Sequence, residues 1–302
     1  MDLGVKHLRD LFGGKIPVAQ VLQGVATGLS GSGVTVVIDP TCTCPFAVKS
    51  ENKIVLPAMV KSERALLIVS WHIDHESGHI IYSPPPEKMV EAWTRKSKML
   101  DVCKSKGFKE IPEELVLAAK FFHNMCEDAR IEQLMINRFP GSKRHFIGGP
   151  IAIGADNLVE DTVEKARQLE KDQGLDHTPI SPFFAGEFHA HGLLGGKLGQ
   201  REKDYVRDLI PDHLDWVLDA VEDHFGDIKN VTTVSSQELA DRTDEVVAII
   251  LDKVLPDASE AKPAPQGADQ GQQQPNNPAD PFKDQFGVQE SSGEGGTPTE
   301  DG

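Results

Sequence analysis

The stretch His75-Glu76-Ser77-Gly78-His79 carries the strongest chemical signal in the chain. Two histidines four residues apart lie on one face of an α-helix, where their imidazoles can bind the same metal ion. The glutamate after the first histidine sits about 100° further round the helix, close enough to hold and deprotonate a water molecule on that metal. We therefore interpret His75 and His79 as zinc ligands and Glu76 as the general base of a hydrolase.

The residues around the motif predict the helix that this geometry requires. From Ser62, a candidate N-cap, the chain runs into the motif without glycine or proline, and apolar residues recur at three-to-four spacing. The prolines at 84–86 end the helix about one turn after the motif. His72 could replace a ligand, but we expect it to lie at the surface or to support a ligand from behind. The alternative for His75 and His79 is two partly buried histidines on an amphipathic helix.

An HExxH site needs a third protein ligand, and a second predicted helix from Pro112 to Arg138 is the best source. This helix carries the acidic pair Glu127 and Asp128 among apolar residues, and an acidic pair is costly to bury unless it is neutralised or binds a cation. We choose Glu127 as the third ligand. Asp128 would orient a histidine or pair with Arg130 or another base, and Asn124 would hydrogen bond within the site. The alternative is a solvated helix face with ordinary ion pairs.

The combined pattern resembles a known family. His-Glu-x-Gly-His at 75–79 is followed after about fifty residues by Asn-x-x-Glu-Asp-x-Arg-Ile-Glu at 124–132. This resembles the metallopeptidase-like N-terminal domain of bacterial cobaltochelatase large subunits, nitric-oxide-reductase activation proteins and related phage proteins, over roughly residues 30–145. The resemblance implies a zincin-like fold, a bound Zn²⁺ and a peptide or protein substrate. It also implies that Phe46–Pro57 forms the edge of a small sheet that can pair with an extended peptide.

Two departures from familiar patterns define the alternative function. Four residues after Glu127 stands Ile131, where thermolysin-like enzymes carry an aspartate, and the sequence lacks the Asp-x-Ser-x-Ser motif of the von Willebrand A domain found in the family. Relatives with that domain are thought to work beside AAA+ ATPases of the MoxR type. A non-proteolytic adaptor for such an ATPase, with a structural or vestigial metal site, is therefore the alternative to a peptidase. The retained Glu76 favours the peptidase, because a structural site needs no base.

Length and composition predict one main domain over residues 1–256, mainly α with a small β-sheet (α+β), whose C-terminal part is helical. Residues 257–302 are rich in Pro, Gln, Gly and acidic residues and are expected to form a disordered tail. Strands are predicted at 34–38 and 53–56, and long connections at 139–157 and 174–199. Further helices are predicted at 16–28, 87–104, 158–171, 200–224 and 236–254.

Three histidines outside the motif are weak candidates for stabilising an oxyanion: His145, His189 and His191. His189 and His191 form a His-x-His pair in the connection predicted at 174–199, and we expect this pair to lie in a surface loop.

Charge and motif content exclude several function classes. The formal net charge of −16 argues against a nucleic-acid partner or an anionic membrane surface. No phosphate-binding GxxxxGK motif occurs, so nucleotide hydrolysis by this chain is not expected. The N-terminus lacks the apolar core of a signal peptide, no run approaches eighteen apolar residues, and the four cysteines form no CxxC pair. These features predict a protein of the reducing cytoplasm.

Overall fold

The computed structural model describes residues 18–42, 45–57, 63–153, 180–196 and 215–258. In this part of the chain the protein is mainly helical with one three-stranded sheet, which confirms the predicted α+β class. The strands are β1 (Thr35–Asp39), β2 (Phe46–Val48) and β3 (Lys53–Pro57). The helices are α1 (Val18–Ser30), α2 (Glu63–Tyr82), α3 (Pro86–Arg95), α4 (Lys98–Ser105), α5 (Glu113–Arg138), α6 (Lys143–Ile153), α7 (Ile180–Leu193), α8 (Asp215–Phe225) and α9 (Ser236–Val254).

The sheet has the strand order β1-β3-β2, with β3 in the centre. β1 runs parallel to β3, and β2 pairs antiparallel with β3 in a hairpin that places Phe46 opposite Val55. A short 3₁₀ turn, Lys49–Glu51, connects the hairpin strands, and Asn52 closes it in the left-handed conformation at φ 47°. The segment Phe46–Pro57 therefore supplies both an edge strand and the central strand.

Two hydrophobic cores stabilise the described chain. The smaller core joins the sheet to α1 and α2 through buried aliphatic residues such as Ile54 and Ile73. The larger core is helical, and Phe122 of α5 and Phe225 of α8 stack in it with ring centroids 6.2 Å apart. α2 and α5 pack against each other, so the two helices connect the cores.

The helices that carry the motif residues agree closely with the sequence analysis. α2 ends at Tyr82, just before the prolines, and α5 follows Pro112 directly. The predicted helix at 236–254 is also confirmed. Ser62, the predicted N-cap, and the predicted helix 158–171 lie outside the described residues, as do 200–214 and 259–302. Among the described helices, none is both long and apolar enough to cross a membrane.

Three predictions of secondary structure were wrong. The predicted helix 87–104 is two helices, because Ser97 leaves the helical conformation and its side chain caps α4 at the Leu100 amide. The connection predicted at 139–157 contains α6, and the one predicted at 174–199 contains α7. In α6, Gly148 and Gly149 act as packing residues, since a Cβ atom there would lie 2.7 Å from Leu67 and 2.4 Å from Trp71 of α2.

Candidate metal centre

The centre forms where α2 and α5 cross. Gly78, inside the HExxH motif, faces α5 so closely that a Cβ atom there would lie 3.2 Å from both Ile131 and Met135. The missing side chain lets the two helices approach, and this approach brings the acidic segment of α5 to the two histidines of α2.

Three side chains meet at this crossing: His75, His79 and Asp128. The Nε2 atoms of the two histidines are 3.3 Å apart. Asp128 Oδ1 lies 3.1 Å from His79 Nε2 and 3.6 Å from His75 Nε2. The three side chains remain 15–17% exposed, so the cluster is accessible to a ligand from solvent.

The donor set fits a zinc ion. Zinc binds histidine nitrogen and carboxylate oxygen at about 2.0–2.2 Å in tetrahedral geometry, which implies donor atoms about 3.3–3.6 Å from one another. The observed edges of 3.1, 3.3 and 3.6 Å are close to that triangle. Three protein ligands also leave one position of a tetrahedral site open, as in catalytic zinc sites.

A chain of hydrogen bonds orients His79. Ser83 Oγ donates its only proton to Glu127 Oε1 over 2.8 Å, so Ser83 must accept a proton from His79 Nδ1, which lies 2.9 Å away. His79 therefore carries its proton on Nδ1 and presents the Nε2 lone pair to the cluster. Such support from outside the coordination sphere is typical of metal-binding histidines.

His75 is oriented in the same way by Glu132, whose Oε1 lies 3.3 Å from His75 Nδ1. Burial alone would lower the pKa of His75, but Asp128, Glu132 and Glu76 outweigh it and raise the pKa to about 10. Burial also acts against the ionised form of Asp128, yet His75 and His79 hold its pKa below the ordinary value. The cluster therefore favours positive charge at its centre.

Glu127, the third ligand expected from the sequence, is not brought together with the two histidines. Arg130 binds its carboxylate through two bonds, Nε to Oε2 at 2.9 Å and Nη2 to Oε1 at 2.7 Å. The same guanidinium donates to the Tyr82 carbonyl at 2.9 Å and so ties α5 to the end of α2. We therefore revise the third ligand from Glu127 to Asp128, which lies about 100° further round the helix.

Of the other two residues expected at the site, Asn124 has its expected role, whereas His72 is buried and does not lie at the surface. Asn124 donates from Nδ2 to both carboxylate oxygens of Asp128, at 3.2 and 3.3 Å, as expected for a residue that hydrogen bonds within the site. His72 is buried and stacks on Trp71, with ring centroids 4.6 Å apart. Burial and the neighbouring charge of His75 lower the pKa of His72 to about 3, so His72 is neutral at physiological pH.

Glu76 is buried beside the cluster, with 4% of its surface exposed. Burial raises its pKa, although His75 and His79 act in the opposite direction. The backbone N–H of Ala47 in edge strand β2 donates to its carboxylate. A carboxylate that is shielded from water and has a raised pKa is suited to accept a proton.

The three histidines considered for an oxyanion have defined partners. His145 Nδ1 contacts the buried carboxylate of Asp74 at 2.7 Å. His191 lies in helix α7 and not in a surface loop, and its Nδ1 donates to the Met125 carbonyl at 2.7 Å. His189, also in α7, contacts Glu222 at 3.1 Å.

Two features of α5 that bear on the centre could have been recognised in the sequence. Asn124, Asp128 and Glu132 recur every four residues and form one polar stripe along the helix. Glu127 and Arg130 stand three apart, at the spacing of an ion pair within a helix. The stripe indicates the face that meets the histidines, and the pair indicates that Glu127 is already neutralised.

Comparison of the chain with protein families, curated proteins and solved structures gave no match.

Proposed function

We propose that this protein is a zinc-dependent hydrolase of the metallopeptidase kind, with Zn²⁺ held by His75, His79 and Asp128. The observation that carries the proposal is the triangle of two Nε2 atoms and one carboxylate oxygen with edges of 3.1–3.6 Å. Both Nδ1 atoms are engaged by outer partners, so both Nε2 atoms face the same centre, where zinc would displace the proton of His75. The resemblance to metallopeptidase-like domains and a zincin-like fold are part of this proposal.

Glu76 is the proposed general base. A bound zinc ion polarises a carbonyl group and makes a water molecule acidic near neutral pH. Glu76 takes a proton from the attacking water and returns it to the leaving amine. Its burial favours the protonated form between these two steps, and the Ala47 amide fixes the position of the carboxylate.

A peptide is the proposed substrate, because a sheet edge adjoins the base. β2 lies at the edge of the sheet, and its Ala47 amide contacts Glu76. An extended peptide can add to such an edge through main-chain hydrogen bonds. That position would bring the peptide backbone close to Glu76.

Replacing Glu76 by glutamine tests this function. Glu76→Gln keeps the shape of the side chain but cannot accept the proton, so zinc content should stay at that of the wild type while cleavage of unfolded proteins and of a mixed peptide library falls by about 10²-fold or more. Glu87→Gln, at an exposed position in the first turn of α3, is the matched control and should cleave like the wild type.

Chelation of the metal should abolish cleavage by the wild type. Zinc binding without cleavage by any form, together with unchanged capture of an ATPase partner, would favour the adaptor.

A further inference from the structure

A pocket of about 230 Å³ opens directly beside the metal centre. His79, Ser83 and Glu127, which belong to the centre or support it, line this pocket. Its apolar walls are Pro84 after α2, Met89 of α3, and Leu117 and Phe121 of α5. Three polar residues of α5 complete the lining: Lys120, His123 and Asn124. The pocket is therefore continuous with the site at which hydrolysis is proposed.

The helical spacing of α5 aligns the pocket with the centre. Leu117, Phe121, Asn124 and Asp128 follow one another at intervals of four, three and four residues, so they share one face of the helix. At a rise of about 1.5 Å per residue, this face extends roughly 16 Å from the metal ligand to Leu117. A group bound to the metal at one end would extend along this face into the apolar walls.

The size and polarity of the pocket indicate its occupant. It is larger than a cavity of about 150 Å³ that holds benzene, and smaller than the roughly 300–1,000 Å³ of pockets for drug-sized ligands. The carboxylate of Glu127, the acidic group in its wall, is already paired with Arg130. Ser83, His123 and Asn124 also have hydrogen-bond partners within the protein. Apart from the Lys120 side chain, the described lining therefore offers a bound group mainly apolar contact, and one large side chain fills the space.

We infer that this pocket is a specificity subsite that binds a large apolar side chain, aliphatic or aromatic, of the substrate peptide next to the scissile bond. This inference rests on the proposed function, because zinc at the centre is what positions the peptide. Burying such a side chain gives a gain of at least about tenfold in affinity over a substrate that lacks it.

Simple hydroxamates test the subsite on the zinc-loaded full chain, because they chelate zinc through one end and differ only in the chain they carry. Hydrocinnamohydroxamate should bind at least about tenfold more tightly than acetohydroxamate in calorimetry. A hydroxamate of similar length that ends in a carboxamide should bind about as weakly as acetohydroxamate, because contact with the apolar walls does not offset the cost of removing water from the amide.

The variant Leu117→Asn places an amide in the pocket wall and should remove most of the preference for hydrocinnamohydroxamate, with the Kd of acetohydroxamate unchanged. Leu218→Asn, at a half-buried leucine of α8 outside the pocket, is the matched control and should keep the preference. Equal affinity of the wild type for the apolar and polar hydroxamates would overturn the subsite and leave the metal centre standing. Failure of the zinc-loaded protein to bind any hydroxamate would overturn the open metal position, and the subsite with it.

Discussion

At the scale of single residues, Glu127 and Asp128 divide two tasks between neighbouring positions. Asp128 completes the triangle with His75 and His79, whereas Glu127 accepts bonds from Arg130 and Ser83. Their side chains leave the helix about 100° apart, so one residue faces the metal centre and the next faces its support. The direct ligand and the group that orients His79 are therefore distinguishable by mutation.

Amide substitutions should separate these two roles. Asp128→Asn removes the charged ligand, and purified protein should lose most of its zinc. Glu127→Gln keeps the shape but weakens both the Ser83 link to His79 and the ion pair with Arg130, so zinc affinity should fall by roughly 10–100-fold. Zinc content by mass spectrometry and affinity by competition with a chelating dye measure the two effects. Full zinc in Asp128→Asn with none in Glu127→Gln would contradict the assignment.

The protonation of two buried histidines gives a second test at this scale. In metal-free protein His75 has a pKa of about 10 and His72 a pKa of about 3, against an ordinary value of 6.5. Between pH 5 and 8, ¹⁵N NMR of the imidazole rings should therefore find His75 charged and His72 neutral. Because the pKa of His75 is raised on folding, its contribution to stability is complete below about pH 6.5 and is lost as the pH rises towards 10.

Addition of zinc should displace the proton from His75 and shift its ring nitrogens at constant pH. His72 should keep its resonances, since it is already neutral. Titration of metal-free His75 near pH 6.5 would show that the carboxylates around it do not act as the structure indicates.

At the scale of elements, the centre depends on how closely α2 approaches α5. Both helices were predictable from local features: apolar periodicity, Pro112 before α5 and the prolines after α2. The face of α5 that meets the histidines was not predictable from local features. The choice between Glu127 and Asp128 depends on how the two helices cross, and neither helix alone determines it. α6 was missed for a related reason, since Gly148 and Gly149 resemble helix breakers in sequence but contact Leu67 and Trp71 in the structure.

The crossing itself can be perturbed at Gly78. A Cβ atom added at Gly78 would lie 3.2 Å from Ile131 and Met135. The larger side chain of Gly78→Leu should therefore force α5 away from α2, destabilise the fold by roughly 1–3 kcal/mol and weaken zinc binding. The control is Gly28→Leu in α1, where nothing lies within 4 Å of the added Cβ. Thermal unfolding and zinc affinity of the two variants are compared. Equal behaviour of both variants would contradict the close approach.

At the scale of the whole molecule, the candidate metal centre lies at the junction of two cores. α2 contributes Ile73 to the core of the sheet, and α5 contributes Phe122 to the helical core. The three proposed ligands of the candidate centre come from both helices, and the proposed base, Glu76, contacts the sheet through the Ala47 amide. A bound ion would therefore connect both cores, and it would stabilise the folded state by an amount that grows with the logarithm of zinc concentration over Kd. The sequence predicted the class and the motif helix, but this junction arises from tertiary packing.

The most direct test of the zinc centre is a crystal structure of zinc-loaded protein with anomalous diffraction recorded at the zinc edge. We expect one strong peak, about 2.0–2.2 Å from His75 Nε2, His79 Nε2 and Asp128 Oδ1, with a fourth position open to solvent. A peak bound by Glu127 instead of Asp128, or no peak between α2 and α5 in zinc-soaked crystals, would contradict this ligand set.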